Sequence, residues 1–329
     1  MLGYLNNPQL STTKEGYPGN ALVDGRFLNY QKTTPPNWKQ ILRWQLSYTP
    51  QKTLNRYSRY RPERINDLRL SDNTITKIVW LGHASYLLTL NGKNILIDPV
   101  FRSLPLIKRR VKIPFTIAKY QPIDYILISH AHYDHLDKKT LVQLSKLNPA
   151  AVIYCGLNTA ELLRTWKISN PICEAGWYQQ FPLNDDRVEF YFLPAQHWSN
   201  RSLKDRNRRL WGSFIIKNHA TCIYFMGDSA AAGHFAEIGQ LFPQIDYAIM
   251  GIGAYQPQYI MHSSHLTPEE AHQAYQALGA RYFIPMHYGT YILSDEPLRE
   301  PLQKIRELFK SQPQQLCELA IGEILAIPS

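Results

Sequence analysis

Cysteine is scarce, and its four positions (Cys155, Cys173, Cys222 and Cys317) stand far apart with no C-x-x-C pair. That spacing excludes a disulfide framework. Two of the four lie inside apolar strand-like runs, as small buried residues of a reducing compartment do. Long hydrophobic stretches are lacking too. Runs such as "CIYFMG" and "YAIMGIGAY" fall far short of the ~20 residues that a membrane-spanning helix needs. The opening "MLGYLNNPQLSTTKEG" has neither a basic n-region nor an apolar h-region. It does not read as a secretory signal, and a cytoplasmic location is expected. There is no internal repeat or low-complexity tract, and Pro and Gly are not concentrated, so long disordered arms are not expected.

Acidic residues are the last shortage, 26 against 36 Lys and Arg, a net charge of +10 over 329 residues. The excess is uneven. Residues 1–64 hold ten basic and three acidic side chains, the stretch 100–122 holds six basic and no acidic ones, and "RSLKDRNRR" forms a third cluster. Positive surface concentrates anionic partners such as phospholipid headgroups, nucleic acid or small phosphates, although each cluster also suits a plain solvated face. A hydrophobic content of 44% suffices for one large core or two modest ones.

Residues 1–72 read as an extended N-terminal arm, and residues 73–329 as one further domain. In the arm only "PNWKQILRWQLS" suggests a helix, with Trp38, Ile41, Leu42 and Leu46 on one side of a 3.6-residue period. That face suits docking on the protein's own core, the commoner fate, or lying on a membrane with its Lys and Arg flanks. From Ile75 onward, hairpin-like strands give way to alternating strands and helices, which predicts an α/β protein with helix-covered sheets. "TPEE" starts a helix clearly. Thr267 caps, Pro268 suits the first turn, Glu270 closes a capping box and Gly279 suits the exit.

Chemistry gathers in "DYILISHAHYDHLD", where an apolar strand stops and His130, His132, Asp134 and His135 follow. Ligand sites of open α/β sheets collect beyond the carboxyl ends of strands. His130 and His132, two apart in extended backbone, can hold one ion. Asp134 and His135, a turn further on, can reach a second. Imidazole with carboxylate suits Zn²⁺, and also Fe or Mn. Four ligands do not complete two sites. Three further candidates each follow an apolar strand: His197 after "VEFYFLPAQ", Asp228 after "CIYFMG" and His287 after "RYFIPM". Alone, each would read as a structural polar residue. Together with the cluster they read as donors.

The stretches "WLGHASYLLTLNGKNILIDPVF", "PIDYILISHAHYDHLD", "LPAQHWSNRSLKDRNRRLWGSF", "YFMGDSA" and "HLTPEEA" resemble the metallo-β-lactamase superfamily. Within it the chain is similar to the N-acyl-phosphatidylethanolamine-hydrolysing phospholipase D family and its bacterial relatives. "RFLN" and "LRWQL" extend the likeness into the arm, but "FLNYQKTT" stands where that family carries an "NP-x-PT" stretch. The resemblance implies a four-layer αβ/βα sandwich with an N-terminal extension and two divalent metal ions, usually zinc. His130, His132 and His197 would hold the first ion, Asp134, His135 and His287 the second, and Asp228 would bridge both. It also implies a homodimer, and a catalytic part for Asp134 together with its ligand role. His265, which matches a family histidine near the metals, would donate to the phosphate or protonate the departing alkoxide.

Two ions about 3.5–4 Å apart lower the pKa of a shared water to ~7. Two carboxylates against two divalent ions leave the site positive, as a phosphodiester anion requires. Asp98, closing "NILIDP", is expected to accept the free N–H of a ligating imidazole, and His83 to support the ligands rather than join them. Tyr133, Trp198 and Trp211 adjoin the motifs and would line a substrate channel. The activity implied is hydrolysis of N-acyl-phosphatidylethanolamine to phosphatidic acid and an N-acylethanolamine, with the enzyme on the inner membrane face. The same centre would also suit a lactonase, acting on an ascorbate phosphate or an acyl lactone, or a nuclease. No appended RNA-binding module is present and no specific nucleic-acid partner is expected. The non-enzymatic alternative is a metal-stabilised membrane-binding scaffold, which intact ligands argue against.

Overall fold

The structure is a computed structural model that describes residues 1–116, 118, 122–183, 187–202 and 204–328. Lys119 of the second basic cluster and Leu203 of the third lie outside the described residues.

The N-terminal region comprises β1 (Leu2–Leu5), β2 (Asn20–Val23), β3 (Arg26–Phe27), α1 (Trp38–Leu46) and α2 (Pro50–Tyr57). The first half of the main fold follows as β4 (Lys77–Gly82), β5 (Ser85–Leu90), β6 (Lys93–Ile97), β7 (Tyr125–Ile128), α3 (Lys138–Leu147), β8 (Val152–Gly156), α4 (Ala160–Thr165) and β9 (Ile172–Ala175). The second half runs through β10 (Gln179–Gln180), β11 (Glu189–Leu193), β12 (Ser213–Lys217), β13 (Cys222–Phe225), α5 (His234–Leu241), β14 (Tyr247–Gly251), α6 (Gln258–Met261), α7 (Pro268–Leu278), β15 (Tyr282–Met286) and α8 (Glu300–Leu308). Finally β16 (Ile324–Ala326) returns to the first sheet.

Two large sheets result, ordered β16-β4-β5-β6-β7-β8-β9 and β10-β11-β12-β13-β14-β15. Each starts antiparallel and turns parallel, from β6 in the first and from β13 in the second. Helices make the parallel crossovers that follow β7, β8, β13 and β14. Strands of the first sheet are apolar on both faces. Ile78, Trp80, Tyr86, Leu88, Ile95 and Leu127 point into the core between the sheets. Their neighbours Val79, Leu81, Leu87, Leu96 and Ile126 pack with Leu141 and Leu144 of α3 and Leu163 of α4. Period two with both faces buried is what a helix-covered sheet demands. Ring contacts join the sheets, Tyr86 to Phe225 with centroids 6.2 Å apart and Tyr125 to Phe190 at 4.8 Å. Residues of α5, α7 and α8 complete the fourth layer over the second sheet. This is the four-layer αβ/βα sandwich with an N-terminal extension.

In α7 the capping box of Thr267 with Glu270 forms, and Gly279 takes φ +66 at the exit. The N-terminal region differs from the extended arm expected. It carries a three-stranded sheet and a second helix, α2, and it bonds to the core: the Thr13 N–H donates to the Tyr178 carbonyl at 2.7 Å and the Tyr30 hydroxyl to Glu237 at 2.7 Å. α1 does form, with Asn37 and Gln40 in a capping box. Its apolar face does not dock on the core, because Trp38, Leu42 and Leu46 are 68%, 47% and 77% exposed. Trp44, on the other side of the helix, reaches the protein instead, donating its indole N–H to Asp295 at 2.8 Å.

Candidate metal centre

Every candidate donor lies beyond the carboxyl end of a strand, along one rim of the sandwich. β7 supplies His130 and His132. There the Leu136 N–H turns back onto the His132 carbonyl at 2.9 Å, which swings Asp134 and His135 inward. His197 follows β11, Asp228 follows β13 and His287 follows β15. Asp228 is placed by Gly227, at φ +61, where an added Cβ would lie 2.8 Å from the Gly212 carbonyl oxygen. His83, Asp98 and His287 also hold positive φ values of 56°, 40° and 64°, so the rim carries backbone strain that the surrounding packing enforces.

The donors form two clusters. In the first, His130 Nε2 and His197 Nε2 lie 2.9 and 3.2 Å from His132 Nδ1, and 3.9 and 3.7 Å from Asp228 Oδ2. In the second, His135 Nε2 and His287 Nε2 lie 3.2 and 3.3 Å from Asp228 Oδ1, and 3.6 and 3.4 Å from Asp134 Oδ2. Asp228 thus turns one oxygen to each cluster. His130, His135, His197, Asp228 and His287 are at most 4% exposed, while His132, Asp134 and His265 are half-buried and mark the open side.

Backbone and carboxylate partners fix which imidazole nitrogen is free. His197 Nδ1–H donates to the Ser264 carbonyl at 2.9 Å, and His135 Nδ1–H to Asp98 Oδ2 at 2.7 Å. Asp98 also accepts from the Ser129 hydroxyl, which in turn lies 3.0 Å from His130 Nδ1. In each case Nε2 is left with its lone pair facing the cluster, the ligating tautomer. His83 Nε2 sits 2.9 Å from Asp134 Oδ2, within reach of the second cluster.

Burial, assisted by neighbouring imidazoles, holds His130 well below the ordinary histidine range. Burial likewise pushes His132 and His265 down to about 4 and His83 to about 3, and lowers His197 well below the usual value. Burial opposes charge at His135 and His287 as well, but there the Asp228 and Asp134 carboxylates outweigh it. They raise His135 and lift His287 to about 9. Asp134 and Asp228 would rise on burial alone, and the facing imidazoles hold them well below the carboxylate range. Asp98 is raised, chiefly by burial.

A metal pair fits this donor set. Imidazole nitrogens and three carboxylate oxygens, two of Asp228 and one of Asp134, face one another in a buried site, and hydrogen bonds do not satisfy them all. The Nε2 atoms of His135 and His287, which face Asp228, have no hydrogen-bond partner among the described residues. Donor separations of 2.9–3.9 Å bracket the ~3.4 Å edge of a tetrahedron with bonds near 2.1 Å. His130, His132, His197 and Asp228 could hold one divalent ion, and Asp134, His135 and His287 beside Asp228 a second.

Among the other expected site residues, Trp198 stacks edge-on against His132 with centroids 4.4 Å apart. Tyr133 is exposed beside the opening, under the Arg201 guanidinium at 3.8 Å. Trp211 corrects the expectation. It is 1% exposed, lies in the core between the sheets and donates its indole N–H to the Ala195 carbonyl at 2.9 Å, so it lines no channel. Two cations of the basic clusters are also structural. Arg109 is buried and donates to the Val100 carbonyl at 2.6 Å, and Arg201 staples the ligand loop through the Leu136 carbonyl at 2.7 Å. No sequence signal separated these two from their solvated neighbours. Ser129 and Ser264 were missed as well, since their part is played through a hydroxyl and a carbonyl that position imidazoles.

The chain belongs to the metallo-β-lactamase superfamily: residues 93–288 match the Beta-lactamase superfamily domain. Among curated relatives, it is 33% identical over 247 residues to N-acyl-phosphatidylethanolamine-hydrolyzing phospholipase D 1 of Caenorhabditis elegans, covering 71% of this chain and 69% of that protein. It is 29% identical over 252 residues to a metal-dependent hydrolase of Caldivirga maquilingensis, covering 76% and 97%. Among solved structures it shares its fold with Igni18, a metallo hydrolase of Ignicoccus hospitalis. The TM-score is 0.60 at 21% identity, with 77% of this chain and 98% of that one covered.

Proposed function

We propose that this metal-dependent hydrolase is a phosphodiesterase of phospholipase D type that cleaves N-acyl-phosphatidylethanolamine to phosphatidic acid and an N-acylethanolamine. The observation that carries the reading is Asp228, whose two oxygens face two complete donor clusters on one strand-end rim. His130, His132 and His197 would hold one zinc ion, Asp134, His135 and His287 the other. When bound, the pair polarises phosphoryl oxygens and makes a shared water nucleophilic near neutral pH. The residues do the rest. Asp98, Ser129 and Ser264 hold the imidazoles in their ligating tautomers. His265, with Nδ1 3.9 Å from Asp228 Oδ2 and half-buried on the open side, donates an N–H hydrogen bond from its neutral ring to a phosphoryl oxygen. Asp134, held by His83, supplies the second cluster with a carboxylate oxygen of its own.

The surroundings suit an anionic amphiphile. A cavity of about 1460 Å³ opens beside Tyr133, with Phe101, Ile113 and Trp166 as apolar wall and Lys108, Lys112 and Lys138 as cations. The undocked face of α1 supports peripheral attachment to a membrane that carries such a lipid. No helix among the described residues is long and apolar enough to cross a membrane.

The test is metal-loaded protein against N-acyl-phosphatidylethanolamine, a lactone and single-stranded RNA. In ¹⁸O-water, attack at phosphorus breaks the bond to the ethanolamine oxygen and leaves the label in phosphatidic acid. Turnover of the lactone or the RNA alone would refute the phospholipase reading.

A further inference from the structure

A second cavity, of about 420 Å³, lies between the N-terminal arm and the first donor cluster. Phe27, Lys32 and Pro35 of the arm form one side, and His197, Trp198 and Arg206 the other. The arm is fixed there by hydrogen bonds to the residues that carry the ligand. The Gln31 N–H donates to Gln196 Oε1 at 2.8 Å, and Gln196 Nε2 donates back to the Gln31 carbonyl at 2.8 Å. The His197 N–H donates to Asn29 Oδ1 at 3.2 Å. A side-chain amide thus pairs with the arm as a neighbouring strand would. The inner wall is shared with the metal donors. Trp198 meets the His132 ring edge-on, and the Arg206 guanidinium lies 4.4 Å from the Trp198 ring centre.

Charge in this cavity is one-sided. Its lining includes two cations, Lys32 and Arg206, and no carboxylate. Neither forms an ion pair among the described residues, whereas Lys14 and Arg209 nearby are matched to Glu237 and Asp205. Unmatched cations beside a low-dielectric wall raise the local concentration of anions. Stacking on Trp198 holds the Arg206 fork in place, and Lys32 adds a mobile point charge from the rim.

We propose that this cavity recognises the phosphate charge of the diester beside the first cluster, with Lys32 and Arg206 as specificity-determining residues, one of them contributed by the arm. The inference rests on the phosphodiester reading above and adds the residues that select the anion. Neither side chain touches a metal donor atom, so their contribution falls on substrate affinity rather than on the chemical step.

The test uses the metal-loaded full chain with bis(p-nitrophenyl) phosphate. Lys32→Ala is expected to raise KM about tenfold, as loss of a charge-assisted contact does, with kcat and metal content unchanged. Lys32→Arg restores the KM. Arg206→Ala shifts KM in the same direction, but it also uncovers Trp198, so the exposed Lys32 carries the decision. If the parent protein hydrolyses the diester and Lys32→Ala leaves KM unchanged, or lowers kcat at constant KM, the assignment of the cavity is wrong and the phosphodiester reading survives. If the parent protein does not hydrolyse the diester, both fall.

Discussion

Asp98 accepts the Nδ1–H of His135 at 2.7 Å in a place where neither side chain meets solvent. Through Ser129 the same carboxylate reaches His130, so one acid orients a donor in each cluster. An Asp98→Asn substitution keeps the shape and loses the charge. Metal affinity is expected to fall about 10–100-fold, measured by competition with a chromophoric chelator. Unchanged affinity of both ions would show that Asp98 is only a turn residue before Pro99.

Metal removal is expected to loosen the rim. Only the folded chain assembles the two clusters, so an ion bound there favours the folded state. At about 1,000 times Kd, zinc adds ~4 kcal/mol of stability for each site it fills, which raises Tm by about 6 °C per site for a chain of this size. Thermal melts with and without a chelator read this directly. Coincident melts would mean that the clusters bind no ion tightly.

Gly227→Ala is expected to damage the centre through the backbone. A Cβ there meets the Gly212 carbonyl oxygen at 2.8 Å and Ser129 Cβ at 3.0 Å, and φ +61 is strained for alanine. The loss should be about 1–3 kcal/mol in urea denaturation, with reduced metal content because Asp228 moves. Parent-like metal binding would show that the loop relaxes freely.

Acid should weaken the loop that carries Arg201. Burial alone would raise the Asp205 carboxyl, but hydrogen bonds from the Arg201 and Ser202 N–H groups and from Arg209 outweigh it and bring it down to about 2. A depressed carboxyl stabilises the fold above its unfolded value near 3.8, and that contribution is lost as pH falls through about 2. After allowance for solvent screening at this near-surface site, the contribution at pH 7 is about 1 kcal/mol. Asp205→Asn should cost that much at neutral pH and progressively less as pH falls towards 2, where the native carboxyl is half protonated. An equal cost at both would assign the effect to packing.

Substituting Ala for Trp38, Leu42 and Leu46 together should leave the melting temperature unchanged, because exposed apolar side chains contribute little to folding. Co-sedimentation with anionic liposomes should drop. Retained binding that is also insensitive to salt would place the membrane contact elsewhere or deny it.

Residues 130–135 announce themselves because an apolar run ends abruptly in donors. His197, Asp228 and His287 were legible because β11, β13 and β15 are short buried strands with the polar residue just past the end. α7 was readable from its caps. The folding of residues 2–27 was not. Those strands are only two to four residues long, and the region is tied to the core by remote contacts, as where Thr12, outside the strands, bridges to Gln179. β16 hid for the same reason, being three residues that pair with β4 across most of the chain.

The amino-acid order alone determined which side chains are the candidate donors, the strand ends they follow and the helix-covered sheets behind them, because local periodicity and chemical type encode each of these. Three matters were left to the tertiary structure: that Asp228 divides its oxygens between two clusters, that Trp211 is core while Trp198 is wall, and that the arm closes a cavity against His197. Each depends on the distance between residues far apart in sequence, which packing sets and no local pattern records.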